Sequence, residues 1–278
     1  MEKIQAAIAK ARATRDAQAA SPVSSATPAA VLPKELAAIT AQDIAAAWTA
    51  LPSFTTDPLR LREHHVVTLS VGSESAPFDG MRTRTLQQMR ANGWRKLAIT
   101  SPGPGCGKST VALNLAFSLA RQTNLRVILL ELDLRRPTLS RTLELSPDAS
   151  LADVLKGDVA LEAAMRRYGT NLAIAVNLAP AHAAAELLSG PVVPSILDAM
   201  MARYAPDVVI FDMPPMLVTD DTIAFLPRVD CALLVAAAET TAVKEIDNCE
   251  REIAAQTNVM GIVLNKCRYM EADYGYGY

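Results

Sequence analysis

The sequence is short of most features that would announce a specialised chemistry. Its 278 residues include 4 cysteines and 3 histidines. Cys106, Cys231, Cys249 and Cys267 stand far apart and none forms a CxxC pair. That spacing excludes a disulfide framework and a cysteine-rich zinc site, and it fits a reducing compartment. Charge of one sign is also missing: 27 basic against 29 acidic residues leave a net charge of −2. A nucleic-acid binder needs a basic field, so no nucleic-acid partner is expected. No uncharged apolar run reaches the roughly 18 residues of a membrane span. The start, Glu2 and Lys3 followed by an alanine-rich, charge-dotted stretch, has no apolar signal-peptide core. The expectation is an intracellular protein, soluble or peripheral to a membrane.

What is present is enough apolar material for a sizeable core, half of all residues, in a length that suits one α/β domain with an appendage. Residues 1–19 read as a short solvated helix with Ile4, Ile8 and Ala11 on one side; a membrane-surface or partner-binding helix is the alternative. Residues 20–33 are rich in Ser, Pro and Ala and read as a linker. A second helical stretch follows at about 34–50. With no chemical motif before residue 64, we assign 1–64 as an N-terminal helical and linker extension.

From residue 65 the texture changes. Short β-branched or leucine-rich runs at 66–69, 96–100, 126–132, 207–212, 230–236 and 259–264 read as strands, mostly apolar throughout and so buried on both faces. Helical stretches at about 80–91, 108–122, 191–204 and 242–255 separate several of them. This alternation predicts a mostly parallel sheet with helices on both faces, an α/β fold over 65–266. Residues 267–278 remain as a tail.

The sharpest motif is Ser101-Pro-Gly-Pro-Gly-Cys-Gly-Lys-Ser-Thr110, placed between an expected strand and an expected helix. Small residues let backbone N–H groups turn inward around phosphate oxygens, and the following helix N-terminus adds a positive dipole. The pattern is that of a P-loop, expected to bind ATP with Mg²⁺. Gly103, Pro104, Gly105, Cys106, Gly107, Lys108, Ser109 and Thr110 are its binding residues. Lys108 reaches the β and γ phosphates, and Ser109 offers a hydroxyl to Mg²⁺. Pro102 stands where the strict pattern has glycine. Cys106 reads as a packing residue, with a reactive thiol as the alternative.

Two acidic strand ends accompany the loop: Leu129-Leu-Glu-Leu-Asp-Leu-Arg135 and Val208-Val-Ile-Phe-Asp-Met-Pro-Pro215. In an open parallel sheet, ligands gather beyond the carboxyl ends of strands. Glu131, Asp133 and Asp212 are therefore expected near the phosphate loop, where carboxylates hold Mg²⁺ directly or through water. Residues two apart share a strand face, so spacing does not rank Glu131 against Asp133.

These residues resemble the bacterial tyrosine kinases of capsule and exopolysaccharide co-polymerase systems. SPGPGCGKST is similar to the family's Walker A motif, LLELDLRRP to its Walker A′ and VVIFDMPP to its Walker B. Further likeness lies in Phe78–Arg84, Ala185–Ser189 and Gly261–Lys266, so the resemblance spans about 66–278. It implies a protein-tyrosine autokinase with ATPase activity, at the inner face of the cell membrane. Lys108, Glu131, Asp133 and Asp212 would then be catalytic, with one Walker A′ acid as base toward a tyrosine hydroxyl. Ser109, Asp133 and Asp212 would hold the metal, and Asn265 would join the nucleotide site. A membrane-anchored polysaccharide co-polymerase as activator, self-association into an oligomer and an opposing tyrosine phosphatase are the implied partners. Three features depart from the family pattern. Glu131 stands where the family usually has Asp, and Cys106 where an acidic residue is common. Asp79, Arg82 and Thr85 form only part of an ExxRxxR subunit-contact motif.

The C-terminus fits the same resemblance. Four of the six tyrosines, Tyr269, Tyr274, Tyr276 and Tyr278, lie in the last ten residues with glycine and acidic spacers. Such a run cannot build a core and reads as a disordered tail. In the family a cluster of this kind accepts the phosphate from a neighbouring subunit. A partitioning or septum-placement ATPase is the rival reading, but Gly103 occupies the position of the extra lysine that marks those proteins. A catalytically weak regulatory subunit is the second rival, kept open by Glu131.

Overall fold

In the computed structural model, residues 39–267 are described. The helix expected over 1–19, the linker at 20–33 and the tyrosines of the tail lie outside those residues.

The core is one eight-stranded sheet: β1 (Ser53–Phe54), β2 (Lys96–Thr100), β3 (Val127–Glu131), β4 (Met165–Tyr168), β5 (Leu172–Ala175), β6 (Val208–Asp212), β7 (Cys231–Ala237) and β8 (Asn258–Asn265). Their order is β1-β4-β5-β3-β6-β2-β7-β8. All neighbours run parallel except β4 and β5. The five runs expected at 96–100, 126–132, 207–212, 230–236 and 259–264 are all strands. Alternate residues of a buried strand feed opposite layers. Ile128 and Leu130 pack with Trp48, Met200 and Tyr204 on one side. Val127 and Leu129 pack with Leu115 and Phe117 on the other.

Order in the sheet decides where the chemistry collects. β3, β6 and β2 are adjacent, with Glu131 opposite Asp212 and Ile99 opposite Asp212. The carboxyl ends of these three strands therefore open on one edge, and the loop after β2 leads straight into the helix Lys108–Ala120. Helices were expected at about 80–91, 108–122, 191–204 and 242–255. They occupy Ala76–Asn92, Lys108–Ala120, Val193–Tyr204 and Val243–Gln256.

Three expectations change. Residues 66–69 are not a strand: Asn114, buried in the helix after the phosphate loop, takes their hydrogen bonds instead. Its Oδ1 accepts Val67 N–H at 2.8 Å, its Nδ2 donates to His65 O at 2.8 Å, and its carbonyl accepts the Thr68 hydroxyl at 2.8 Å. A helix side chain thus replaces the ladder a β-branched run would otherwise seek. β4 and β5 were not anticipated, because Met165–Tyr168 is interrupted by two arginines and Leu172–Ala175 is half alanine. Finally, the stretch 39–64, assigned to the extension, belongs to the same compact unit as the sheet. Thr40 and Asp43 form a capping box for the helix Ala41–Ala50. Trp48 from that helix is 4% exposed, donates to Tyr204 O at 2.8 Å and meets its ring edge-on. The β1 strand then adds to β4.

Candidate nucleotide site

The phosphate loop is shaped by glycine where a side chain cannot go. Gly105 and Gly107 have φ of 77° and 93°, a region L-residues avoid. A Cβ on Gly107 would come within 2.2 Å of Asn265 Nδ2. Asn265 crosses the loop at that point and donates to Cys106 O at 2.8 Å, so the end of β8 braces the loop from above. Cys106 is buried with its Sγ 3.7 Å from the Thr241 hydroxyl, a packing position. Pro102 is buried as well, and its carbonyl accepts Leu217 N–H at 3.1 Å, tying the loop to the segment after β6. No side chain caps the helix that starts at Lys108. Its first N–H groups are left for an anion.

Lys108 stands between carboxylates. Its Nζ donates to Asp133 Oδ2 at 2.7 Å, and Asp212 Oδ1 lies 3.9 Å away. Burial alone would lower the Lys108 ammonium's pKa, but the charges of Asp212 and Asp133 outweigh it and hold the group above its usual value. Asp212 is fully buried, and neither of its oxygens has a hydrogen-bond partner. Burial raises its pKa, with Lys108 pulling the other way. A fully buried carboxylate with no close hydrogen bond, beside Lys108, a serine hydroxyl and a second carboxylate, is a hard-oxygen donor set. It suits Mg²⁺ held through a few protein oxygens and the phosphates. Ser109, Asp133 and Asp212 are the residues that would hold the ion. Gly105, Gly107, Lys108, Ser109, Thr110 and Asp133 line a common cavity of about 500 Å³.

Glu131 behaves differently from its neighbour. Like Asp212 it lies behind the cavity wall, but its oxygens are taken by backbone donors. Its Oε1 accepts Thr138 and Leu139 N–H at 2.6 and 2.7 Å, and its Oε2 accepts Asn177 N–H at 2.8 Å. Burial pushes its carboxyl up to about 7, against the pull of those three donors. Glu131 was expected beside Asp133 and Asp212; it lies next to Asp212 in the sheet, with its carboxylate on backbone donors rather than on Lys108. β3 ends at Glu131, so the alternation that would place residues 131 and 133 on one face stops between them.

The cavity also has walls the sequence reading did not name. His64 and His65 contribute one side, Thr138 and Thr142 another, and Lys266 sits at the end of β8. Arg135 reaches out from the same loop as Asp133 to clamp buried Asp221, with Nε–Oδ2 2.7 Å and Nη2–Oδ1 2.9 Å. Asp221 had no motif signal; its burial and bidentate partner mark it only in three dimensions. The incomplete subunit-contact motif is drawn inward. Asp79 accepts from Arg82 and the Ser118 hydroxyl and pairs with Arg121, while Thr85 is 3% exposed.

A family profile described as "ParA: NUBPL iron-transfer P-loop NTPase" matches residues 94–276. Among curated proteins, a putative tyrosine-protein kinase, EpsB of Ralstonia nicotianae (strain ATCC BAA-1114 / GMI1000), is 32% identical over 201 residues. Those residues are 71% of this chain and 26% of EpsB, so the chain spans about a quarter of that relative's length. The tyrosine-protein kinase YwqD of Bacillus subtilis (strain 168) is 29% identical over 224 residues, 80% of this chain and 88% of YwqD. Among solved structures, the kinase domain of the Escherichia coli tyrosine kinase ETK superposes with a TM-score of 0.66 at 26% identity, covering 74% of this chain and 81% of that domain. With the profile running through the phosphate loop, both acidic strand ends and Asn265, the chain belongs to the ParA-type family of P-loop NTPases and, within that fold, resembles the bacterial tyrosine kinases.

Proposed function

We propose that this chain is an ATP-dependent protein-tyrosine autokinase that phosphorylates its own C-terminal tyrosines in trans and thereby regulates exopolysaccharide or capsule synthesis and export. One observation carries the reading. Lys108 is held between Asp133 and Asp212 at the mouth of an uncapped helix, and Asn265, which braces the phosphate loop, precedes in sequence by four residues the tyrosine run that starts at Tyr269.

The residues divide the work. Backbone N–H groups of Gly105 to Thr110 cradle the phosphates, and Lys108, drawn off Asp133 by the stronger charge, follows the transferring phosphoryl. Ser109 and Asp212, with Asp133 reaching through water, would hold Mg²⁺, which would neutralise charge and polarise the phosphoryl oxygens. A phenol has a pKa of about 10 and needs a base to attack. With Glu131 committed to backbone donors, Asp133 is the Walker A′ acid left facing the cavity. It takes the phenolic proton as the new O–P bond forms, and ADP leaves with the electrons of the broken one. Tyr269, Tyr274, Tyr276 and Tyr278 are the acceptors.

Among the described residues no helix is long and apolar enough to cross a membrane. The partner that the resemblance implies is a membrane-anchored polysaccharide co-polymerase, acting as activator at the inner membrane face. Self-association and an opposing tyrosine phosphatase complete the cycle.

The test is phosphotyrosine mass spectrometry of the purified chain after incubation with Mg-ATP, alone and with the activator. Phosphate on the tail tyrosines, absent in Lys108→Met, supports the proposal. ADP release without phosphotyrosine in either condition would instead favour a plain ATPase, the reading that the ParA-type profile keeps in play. A catalytically weak regulatory subunit would make neither product.

A further inference from the structure

Glu131 is the one motif acid that the mechanism above leaves without a task at the phosphates, and it is fully buried. Buried carboxylates are costly unless something is gained by their hydrogen bonds. Here the partners are specific. Thr138 and Leu139 N–H reach Oε1 from seven and eight residues downstream, so one carboxylate oxygen closes the base of the loop 132–137. Oε2 accepts Asn177 N–H just beyond β5, while Asn177 Nδ2 donates back to Glu131 O at 2.8 Å. Asn177 Oδ1 in turn accepts Ala152 N–H at 2.8 Å, which extends the lock to the helix Leu151–Lys156.

The closed loop carries Asp133, Arg135 and Arg136. Asp133 Oδ1 accepts Arg136 N–H at 3.1 Å inside it, leaving Oδ2 for Lys108. Arg135 anchors its outer side to Asp221. We propose that Glu131 is a positioning residue: through Thr138, Leu139 and Asn177 it fixes the loop that presents Asp133 to the metal and nucleotide, and its extra methylene is required for that reach. This rests on the nucleotide-site reading above and assigns Glu131 no part in proton transfer.

Chain length and charge make opposite demands on the variants. A base must keep its charge: Glu131→Asp would still work, and Glu131→Gln would fail. A clasp must keep its length. Gln retains one oxygen for Thr138 and Leu139, whereas Asp stops about 1.5 Å short of all three donors, roughly one carbon–carbon bond. Misplacing a metal-positioning group costs on the order of 10- to 100-fold.

The experiment compares Glu131→Asp, Glu131→Gln and Asn177→Ala with the unaltered chain, after circular dichroism and melting show that each variant is folded. Affinity for a fluorescent ADP is measured with and without Mg²⁺, together with amide exchange at Thr138 and Leu139. The expected result is a roughly 10- to 100-fold loss of Mg²⁺-dependent affinity in Glu131→Asp and a smaller loss in Glu131→Gln and Asn177→Ala. Mg²⁺-free affinity should be little changed, and exchange at Thr138 and Leu139 should quicken in Glu131→Asp. If Glu131→Asp matches the unaltered chain in both readouts, or Glu131→Gln loses more than Glu131→Asp, the clasp is wrong. Because ADP binding and exchange require no phosphotransfer, failure of the kinase reading leaves this result interpretable. A general loss of stability would lower the melting temperature without separating the Mg²⁺-dependent from the Mg²⁺-free affinity.

Discussion

Two loops leave neighbouring parts of one sheet edge, and they are shaped by opposite means. The segment 101–107 after β2 is formed by what is missing: its glycines allow left-handed backbone and let Asn265 lie across it. The segment 132–137 after β3 is formed by what is present, a buried carboxylate at its base with three backbone donors and an arginine clamp on its outer side. The first offers backbone N–H groups to any phosphate. The second, in the proposed site, would offer a particular carboxylate to a particular ion. The generic half of nucleotide binding is thus built from glycine, and the specific half depends on long-range side-chain contacts.

The comparison is broken most severely at its meeting point. Lys108→Met removes the ammonium shared by both loops, and turnover is expected to fall on the order of 10²- to 10³-fold, the loss typical of one preorganised charge on a transferring group. A steady-state ATPase assay coupled to phosphotyrosine detection checks this; unchanged turnover would remove Lys108 from the site. Next comes Asp212→Asn, expected to lower Mg²⁺-dependent turnover roughly 10- to 100-fold while the melting temperature holds or rises. The stability sign follows from burial: Asp212 is a fully buried carboxylate whose pKa is raised, desolvation outweighing the Lys108 charge 3.9 Å away and the Ser109 hydroxyl, so a neutral amide of similar shape relieves more than it loses. A variant both inactive and much less stable would mean Asp212 is structural. For the glycine-built loop alone, Gly107→Ala should cost about 1–3 kcal/mol in backbone strain and displace Asn265, since the added Cβ meets its Nδ2 at 2.2 Å. Chemical denaturation and Mg-ADP titration of the same variant read both effects.

The same contrast explains what could be read in advance. Five strands were legible because runs such as VILLE and VVIFD are apolar throughout, as burial on both faces requires. The phosphate loop was legible because its geometry depends on glycine in sequence order. The second loop was less legible because its shape depends on Asn177 and Asp221, which are distant in sequence and carry no motif signal. Even the pairing of Glu131 with Asp133 rested on a strand continuing past residue 131, and it ends there. Asn114 shows the same limit: an unremarked polar residue on an apolar helix replaced a whole expected strand. Trp48, one of two tryptophans, was the available sign that 39–64 belongs to the core.

The smallest expected effect tests whether the glycine-built loop is as rigid as its packing implies. Cys106 is buried within it, Cys231 and Cys249 are buried elsewhere, and Cys267 is exposed. Burial, aided by Asp230, pushes the Cys231 thiol up to about 12; burial, then Glu245, pushes Cys249 up to about 11. Only the thiolate reacts, so raised values mean slower labelling: at pH 8 a thiol of pKa about 11 is roughly one part in a thousand thiolate. Treatment of the native chain with a thiol-disulfide reagent at pH 8 should release one fast equivalent, from Cys267, and all four only after unfolding. Saturating Mg-ADP should leave that count at one, because Cys106 is already packed against Thr241 without a ligand. A second fast equivalent that mapping assigns to Cys106, and that nucleotide suppresses, would show the phosphate loop opening in the free protein. The two loops would then differ less than their architecture suggests, and nucleotide binding would order both.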